Sequence, residues 1–476
     1  MKKKTVFLAL LLIAPAAVLL ALLLRSEDRP NVILISIDSL RSDHLGCYGY
    51  TRDTTPVLDR IAGEGVLFET VVSSTSWTLP AHAALFTSLH DRVHGCFDGT
   101  VWLARSRETI AEAFKSAGYR TTGFFSGPYL HPVYGLSQGF DTYHDCTSYS
   151  EKTIAMLKGT AEAKELGDLS HKDVTNPIVL KNVNGWLDTR EDGPFFMFVH
   201  LWDVHFDYIP PPPYDTMFDP DYKGTVDGHF DVKVVERPSS WTDRDVEHYK
   251  ALYDGEIRWT DATLGKLFAS LKARGLMDDT MIVITSDHGE AFYEHGNRGH
   301  RYSLHDEEIR IPLIIRFPPS IQAGNRIKEQ VHIIDIAPTI LKLAGLPPLP
   351  GALGRDLSPL IENQDMAWPE IECVSELIFP LNARPLFSIR TPEWKMILNT
   401  KNGLLEVYDM KGDPGEQAPL PEDRYPISPE ALVNLYKKKV KMLETEFLRL
   451  PIPGKRDTPP VPEMTRAHLR SLGYLK

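Results

Sequence analysis

Two short apolar runs, each closing on an acid, constrain this chain more than any other feature. Residues 31–38 read NVILISID and residues 281–287 read MIVITSD. Neither run alternates apolar with polar positions, so both faces of each strand must be covered. That is the pattern of strands inside a parallel sheet with helices on either side. In such sheets chemistry gathers at the carboxyl ends of the strands. Asp38 and the neighbours Asp287 and His288 are therefore candidates for one shared edge.

The segments between them alternate in the manner of βα units. A helix begins near Thr54-Thr55-Pro56, a short strand covers Val66 to Phe68, and a second helix is opened by Pro80. A helix from Thr109 to Ala117 passes through Gly118 into the strand YRTTGFFS. A helix-prone stretch from Ser148 to Leu187 precedes the strand PFFMFVHLWDVH, which delivers His200 and His205. Pro210 to Ser240 reads as a long surface excursion. A helix follows from Thr242 to Leu276, then the strand Met281–Thr285 and another, IPLIIRF. From Glu370 onward short alternating strands with turn signals take over, and Leu432 to Leu448 closes with an amphipathic helix. A chain of 476 residues exceeds one core. The expectation is an α/β fold with a large central mixed, mostly parallel sheet flanked by helices, over residues 30–346, and a small antiparallel α+β subdomain over 370–476.

Lys2, Lys3 and Lys4 precede an uncharged apolar run from Thr5 to Leu24, closed by Arg25. The run is about the length a helix needs to cross a bilayer, and its leucines continue almost to Arg25, unlike the core of a cleaved signal. Residues 1–25 are expected to be a membrane anchor, with a signal peptide as the alternative. The lysines stay cytoplasmic, so the remainder is periplasmic or on the cell surface, and secreted if the segment is cleaved. A net charge of −12 opposes binding to nucleic acid. Cys47, Cys96, Cys146 and Cys373 form no CxxC pair, which argues against a cysteine zinc site and leaves their pairing open.

Carboxylates with imidazoles suit a hard or borderline divalent ion: manganese, zinc or calcium, with magnesium also allowed. In SSTSWTLPAHAALFTS, Thr78 falls at a helix N-terminus, where backbone N–H groups favour an oxyanion. The plain alternative is that Thr78 caps the helix. Tyr208, Tyr214 and Tyr222 in the excursion suit stacking on a sugar or lipid headgroup, or packing within the protein.

The order and spacing of these segments resemble the sulfatase family of the alkaline-phosphatase superfamily over nearly all of the chain after Arg25. NVILISIDSLRSDHLGCYGY is similar to the family's opening strand and metal loop, TTPVLDRIAGEGVLFE to its first helix and strand, and SWTLPAHAALFTSLHDRVHG to its nucleophile segment. ITSDHGEAFYEHG resembles the second metal loop, IRIPLIIR the next strand, and LEVYDMKGDPGEQ the end of the C-terminal subdomain. The resemblance implies an alkaline-phosphatase-like sandwich, one divalent metal held by Asp38, Thr78, Asp287 and His288, and Thr78 as nucleophile. It implies that His82 holds the nucleophile or the substrate oxyanion, that His205 serves as general acid and that His300 contacts the transferred group. His200 reads equally as a site residue or a structural histidine.

Two departures alter the chemistry expected. Sulfatases oxidise a cysteine or serine to formylglycine, and Thr78 cannot give that aldehyde. Ser39 stands where many sulfatases have a second aspartate. The set that remains looks like that of membrane-anchored phosphoglycerol and phosphoethanolamine transferases. The expectation is a metal-dependent hydrolase or transferase of phosphodiesters or phosphonate esters, acting on a small-molecule, glycan or lipid-headgroup substrate. A sulfatase acting on a sulfated glycan or aryl sulfate is the alternative. A catalytically silent binding protein, permitted by Ser39, is a third reading.

Overall fold

The structure is a computed structural model that describes residues 29–97, 102–147, 174–229, 236–363, 366–378 and 384–451. The expected anchor over residues 1–25 lies outside them, as do residues 148–173 of the helix-prone stretch. No helix among the described residues is long and apolar enough to cross a membrane.

Strands β1 (Asn31–Ile37), β2 (Val66–Val72), β3 (Arg120–Phe125), β4 (Thr142–Asp145), β5 (Phe195–Leu201) and β6 (Thr280–Ser286) are joined by β9 (Arg310–Arg316), β10 (Asn325–Ile327) and β11 (Val331–His332) in the large sheet. A short hairpin pairs β7 (Ala291–Phe292) with β8 (Arg298–Gly299) outside it. The order across the sheet is β10-β2-β9-β6-β1-β5-β3-β4, with β11 also on β2. β1 lies in the middle, parallel to β5 and β6, with Ile37 beside both Leu201 and Ser286. Only β9 runs against its neighbours β2 and β6. The carboxyl ends of β1, β2, β5 and β6 thus share one edge.

Burial explains the unalternating runs. Val32 and Leu34 of β1 enter one core with Leu79, Leu85 and Phe86, while Ile33, Ile35 and Ile37 enter the opposite core with Leu58, Tyr249 and Leu264. The first of these cores is filled by helix α2, the second by α1 and α5. Helix α1 spans Pro56–Gly63, α2 Thr78–Thr87, α3 Ile110–Ser116, α4 Asn176–Thr189 and α5 Asp243–Ala273. Every residue of α2 is buried, which is why its sequence shows no polar stripe. A capping box of Thr242 and Asp245 starts α5.

The C-terminal part forms the expected separate antiparallel sheet, β12 (Cys373–Leu377), β13 (Leu386–Arg390), β14 (Trp394–Asn399) and β15 (Leu405–Asp409). Its terminal helix, Pro429–Arg449, buries Leu432 and Leu443 against Phe387, Met396 and Val407, together with Leu89 and Val93 from the larger part.

Two details differ from the sequence reading. β2 continues to Val72 because a register irregularity between Phe68 and Val71 lets the chain resume pairing beyond polar Glu69 and Thr70. Helix α2 begins at Thr78, so Pro80 is its third residue and not its first. Of the two readings for the three tyrosines, their ring contacts are those of packing within the protein: buried Tyr208 packs on Tyr249 and Tyr253, half-buried Tyr214 on Trp259, and half-buried Tyr222 stacks on His248 at 3.6 Å. All four cysteines are free thiols.

Candidate active site

Each strand end at the shared edge supplies a polar group. Asp38 follows β1, Asp287 and His288 follow β6, and Thr78 opens α2 beyond β2. Trp77 occupies the capping position in an extended conformation and makes no side-chain cap. Thr78 is already helical, so its hydroxyl is not used as a cap. It lies 3.2 Å from His288 Nε2 instead. The capping alternative fails because the chain enters the helix one residue earlier than a capping threonine would require.

Asp38, Asp287 and His288 present ligand atoms within 4.8 Å of one another, all fully buried. Asp287 Oδ1 accepts from the backbone N–H of Ser39 at 3.2 Å and of His288 at 2.9 Å. Ser39 Oγ donates to Asp38 Oδ1 at 3.0 Å. The hydroxyl that stands where an aspartate was expected therefore buttresses the remaining carboxylate. Ser39 takes a left-handed backbone at φ 57°, a conformation that costs energy for a residue with a Cβ.

The remaining oxygens, Asp38 Oδ2 and Asp287 Oδ2, are buried and accept no hydrogen bond among the described residues. His288 Nδ1–H donates to the Gly289 carbonyl at 2.9 Å, a bond that aims Nε2 as a lone pair. Nε2 stands 3.4 Å from Asp287 Oδ2 and 3.8 Å from Asp38 Oδ1. Lone pairs from two carboxylates and an imidazole that converge in a buried site fit a divalent cation. Burial raises the Asp38 carboxyl to about 6, against the lowering influence of His288 and of hydrogen bonds from Ser39 and Thr78.

Around this cluster stand four further histidines. His82, one turn into α2, donates from Nδ1 to the Thr78 carbonyl at 2.8 Å, and its Nε2 meets Ser36 Oγ at 3.0 Å. Its contacts are to the backbone of Thr78 and to β1, and its Nδ1 lies 3.6 Å from Asp287. Burial lowers its ring to about 4. His200 belongs to the site as well, with Nε2 3.2 Å from Asp38 Oδ2, because its register on β5 sets it beside Ser36. His205 lies flat on Trp202 at 3.8 Å and donates from Nδ1 to the Phe206 carbonyl at 2.7 Å. The His300 ring is 4.3 Å from that of His288 and 4.9 Å from that of His205.

Sequence reasoning missed Glu290. It is fully buried, and its Oε1 lies 3.1 Å from His300 Nδ1. The β7–β8 hairpin, which sets Ala291 opposite Gly299, folds the two residues together. The turn signal was present at Gly296, whose φ is 86°. Burial pushes the Glu290 carboxyl well above the usual carboxylate range and the His300 ring well below the usual imidazole range. Arg41, also missed, chelates Asp43 and donates to the Glu290 carbonyl at 2.9 Å.

A second group of ligand types, His295, His305 and Glu307, lies at the junction with the C-terminal sheet. Both ring nitrogens of His295 are engaged, with Glu307 Oε1 at 2.6 Å and the Glu416 carbonyl at 2.8 Å, and the ring stacks face to face on His305. Two acceptors call for an imidazolium, not a metal ligand. Burial opposes that charge, but the hydrogen bond and charge of Glu307, aided by the Glu416 carbonyl, raise the ring to about 9.

Known proteins agree with this architecture. The N-acetylglucosamine-6-O-sulfatase of Bacteroides thetaiotaomicron is 25% identical, over 82% of this chain and 82% of its own length. A structure solved with its substrate D-glucosamine-2-N,6-O-disulfate superposes with a TM-score of 0.72 at 23% identity, covering 88% of this chain and 98% of the other. The phosphonate monoester hydrolase of Agrobacterium radiobacter gives 0.71 at 24% identity, covering 88% and 96%. The model of the C-terminal part of N-sulphoglucosamine sulphohydrolase matches residues 293–444. Residues 30–346 match the sulfatase family model, so this chain belongs to the sulfatase family and is an ester hydrolase of the alkaline-phosphatase-like superfamily.

Proposed function

We propose that this chain cleaves a phosphate-type ester, a phosphodiester or phosphonate monoester, with Thr78 as nucleophile and Asp38, Thr78, Asp287 and His288 as the holders of one divalent ion. The observation that carries the reading is the Thr78 hydroxyl, uncommitted to capping and 3.2 Å from His288 Nε2 beside two carboxylates. When bound, the ion would acidify the nucleophile and offset charge on the transferred group. Thr78 Oγ, its proton lost to solvent, attacks phosphorus, and the bond to the leaving alcohol breaks. His205 in its imidazolium form protonates the departing oxygen. Water then gives a proton to the neutral His205 as it attacks the phosphothreonine, and the P–Oγ bond breaks, with Thr78 Oγ regaining a proton from solvent. His82 holds the first turn of α2 through the Thr78 carbonyl. His300 flanks the transferred oxygens.

A second reading, hydrolysis of a sulfate ester on a glycan, is favoured by the named relatives, and by similarity alone it is the stronger of the two. Against it stands the chemistry of Thr78. A sulfated threonine has no hemiacetal hydroxyl from which sulfate is eliminated, so release would rest on slow direct hydrolysis. The test is a panel of 4-nitrophenyl sulfate, phosphate, phosphodiester and phosphonate esters, each with added manganese, zinc or calcium. Phosphorus esters are expected to dominate, and Thr78→Ala is expected to lower turnover by about 10³-fold or more. Dominant sulfate turnover that vanishes in Thr78→Ala would establish the second reading.

For residues 1–25 the reading remains a membrane anchor with the site outside the cytoplasm, supported by the apolar run between Lys4 and Arg25.

A further inference from the structure

We infer that the sheet edge where β1 begins lies against the lipid bilayer and that the candidate site opens away from it. The substrate is then an ester standing beyond the headgroup layer, soluble or carried on an envelope polymer, and not a lipid headgroup of the anchoring leaflet. The inference rests on the anchor proposed for residues 1–25.

Residues 26–30 are all that join Arg25 to β1. Fully extended, the six steps from Arg25 to Asn31 reach about 21 Å. From Asn31 to Asp38 the chain climbs about 23 Å at the rise of a strand. Asp38, past the far end of β1, is completely buried. Helix α5 extends past the site on that side. Tyr253 accepts from the Arg41 N–H at 3.0 Å and donates to the Ser39 carbonyl at 2.7 Å. From Tyr253 back to Asp243 the helix rises about 15 Å more. Arg244 on this last stretch pairs with Asp219 of the excursion. At its other end α5 leads to Met277, whose carbonyl accepts from Arg316 at the edge where β1 begins.

Turning the domain over to present its site to the bilayer would lift Asn31 more than about 23 Å from the surface, beyond the reach of the tether. The edge that remains near the bilayer carries a groove of about 1090 Å³ lined by Arg29, Asn31, Lys115, Arg120, Arg190 and Asp279 among others. Its charges are of both signs, with Lys115 on Asp141 and Arg120 on Glu191. The short tether, not net attraction, sets the orientation.

The experiment uses the full chain reconstituted in vesicles of phosphatidylcholine and phosphatidylglycerol that carry a nitroxide quencher on a fraction of the phosphatidylcholine headgroups. A fluorophore is placed at Asp192→Cys, on the exposed turn before β5, or at Met217→Cys, exposed on the excursion; the unsubstituted chain gives the background. Quenching several-fold stronger at position 192 than at 217 is expected, together with turnover of a soluble phosphodiester and no headgroup release from phosphatidylglycerol in the same vesicles. Equal quenching, stronger quenching at 217, or headgroup release would overturn the orientation. Flotation separates the two failures: chain that does not float with the vesicles overturns the anchor itself and, with it, this inference.

Discussion

Thr78 carries one hydroxyl, and the helix that begins with it makes no use of that hydroxyl. This separates the candidate nucleophile from an ordinary cap, and it was hidden in the sequence because the capping position fell to Trp77, a residue with no capping chemistry. Asp38, Asp287 and His288 were legible because unalternating strands announce their own ends. Glu290 was not, since its partner His300 is ten residues away and meets it only through the hairpin. The pair makes a sharp prediction. Glu290→Ala should lower kcat by about 10–100-fold with little change in KM, because the His300 ring loses the partner that fixes its tautomer. Since burial favours the neutral form of this acid, Glu290→Gln should retain activity within about threefold of the parent. Steady-state kinetics on the best ester of the panel decide both.

At the scale of elements, the α/β strands were readable from hydrophobic runs, and the antiparallel C-terminal sheet from alternation and turns. Their joint was not, because it is made of charges that sequence shows only as surface composition. Lys395, fully buried on β14, donates to Asp306 at 2.9 Å and contacts Glu416 at 2.8 Å, while Arg390 also holds Asp306. Removing the lysine takes the cation from the buried Glu416 carboxylate and leaves Asp306 to Arg390 alone, so Lys395→Met should destabilise the fold by about 3–5 kcal/mol in denaturant unfolding. His295 adds a pH dependence to the same joint. Its pKa in the folded state is raised above the unfolded value, so its stabilisation is complete below about pH 6.5 and fades as pH rises through about 9. Thermal melts between pH 6 and 10 should show that decline, and His295→Ala should flatten it.

For the molecule as a whole, the two carboxylates and the imidazole that converge beneath Thr78 link stability to a bound ion. A divalent metal at a hundred times its dissociation constant should add about 2.7 kcal/mol, and chelation should lower the melting temperature accordingly. Asp38→Asn should abolish that response, as read by differential scanning calorimetry with and without chelator. The joint has a consequence for how such a chain can be inherited. The loop that presents His300 is pinned by the C-terminal sheet on both sides, through His295 on the Glu416 carbonyl and through Asp306 on Arg390 and Lys395. A chimera that exchanged the C-terminal part for one lacking Arg390, Lys395 and Glu416 would thus lose the seat of His300 along with the graft. The two parts are expected to recombine only as a matched pair.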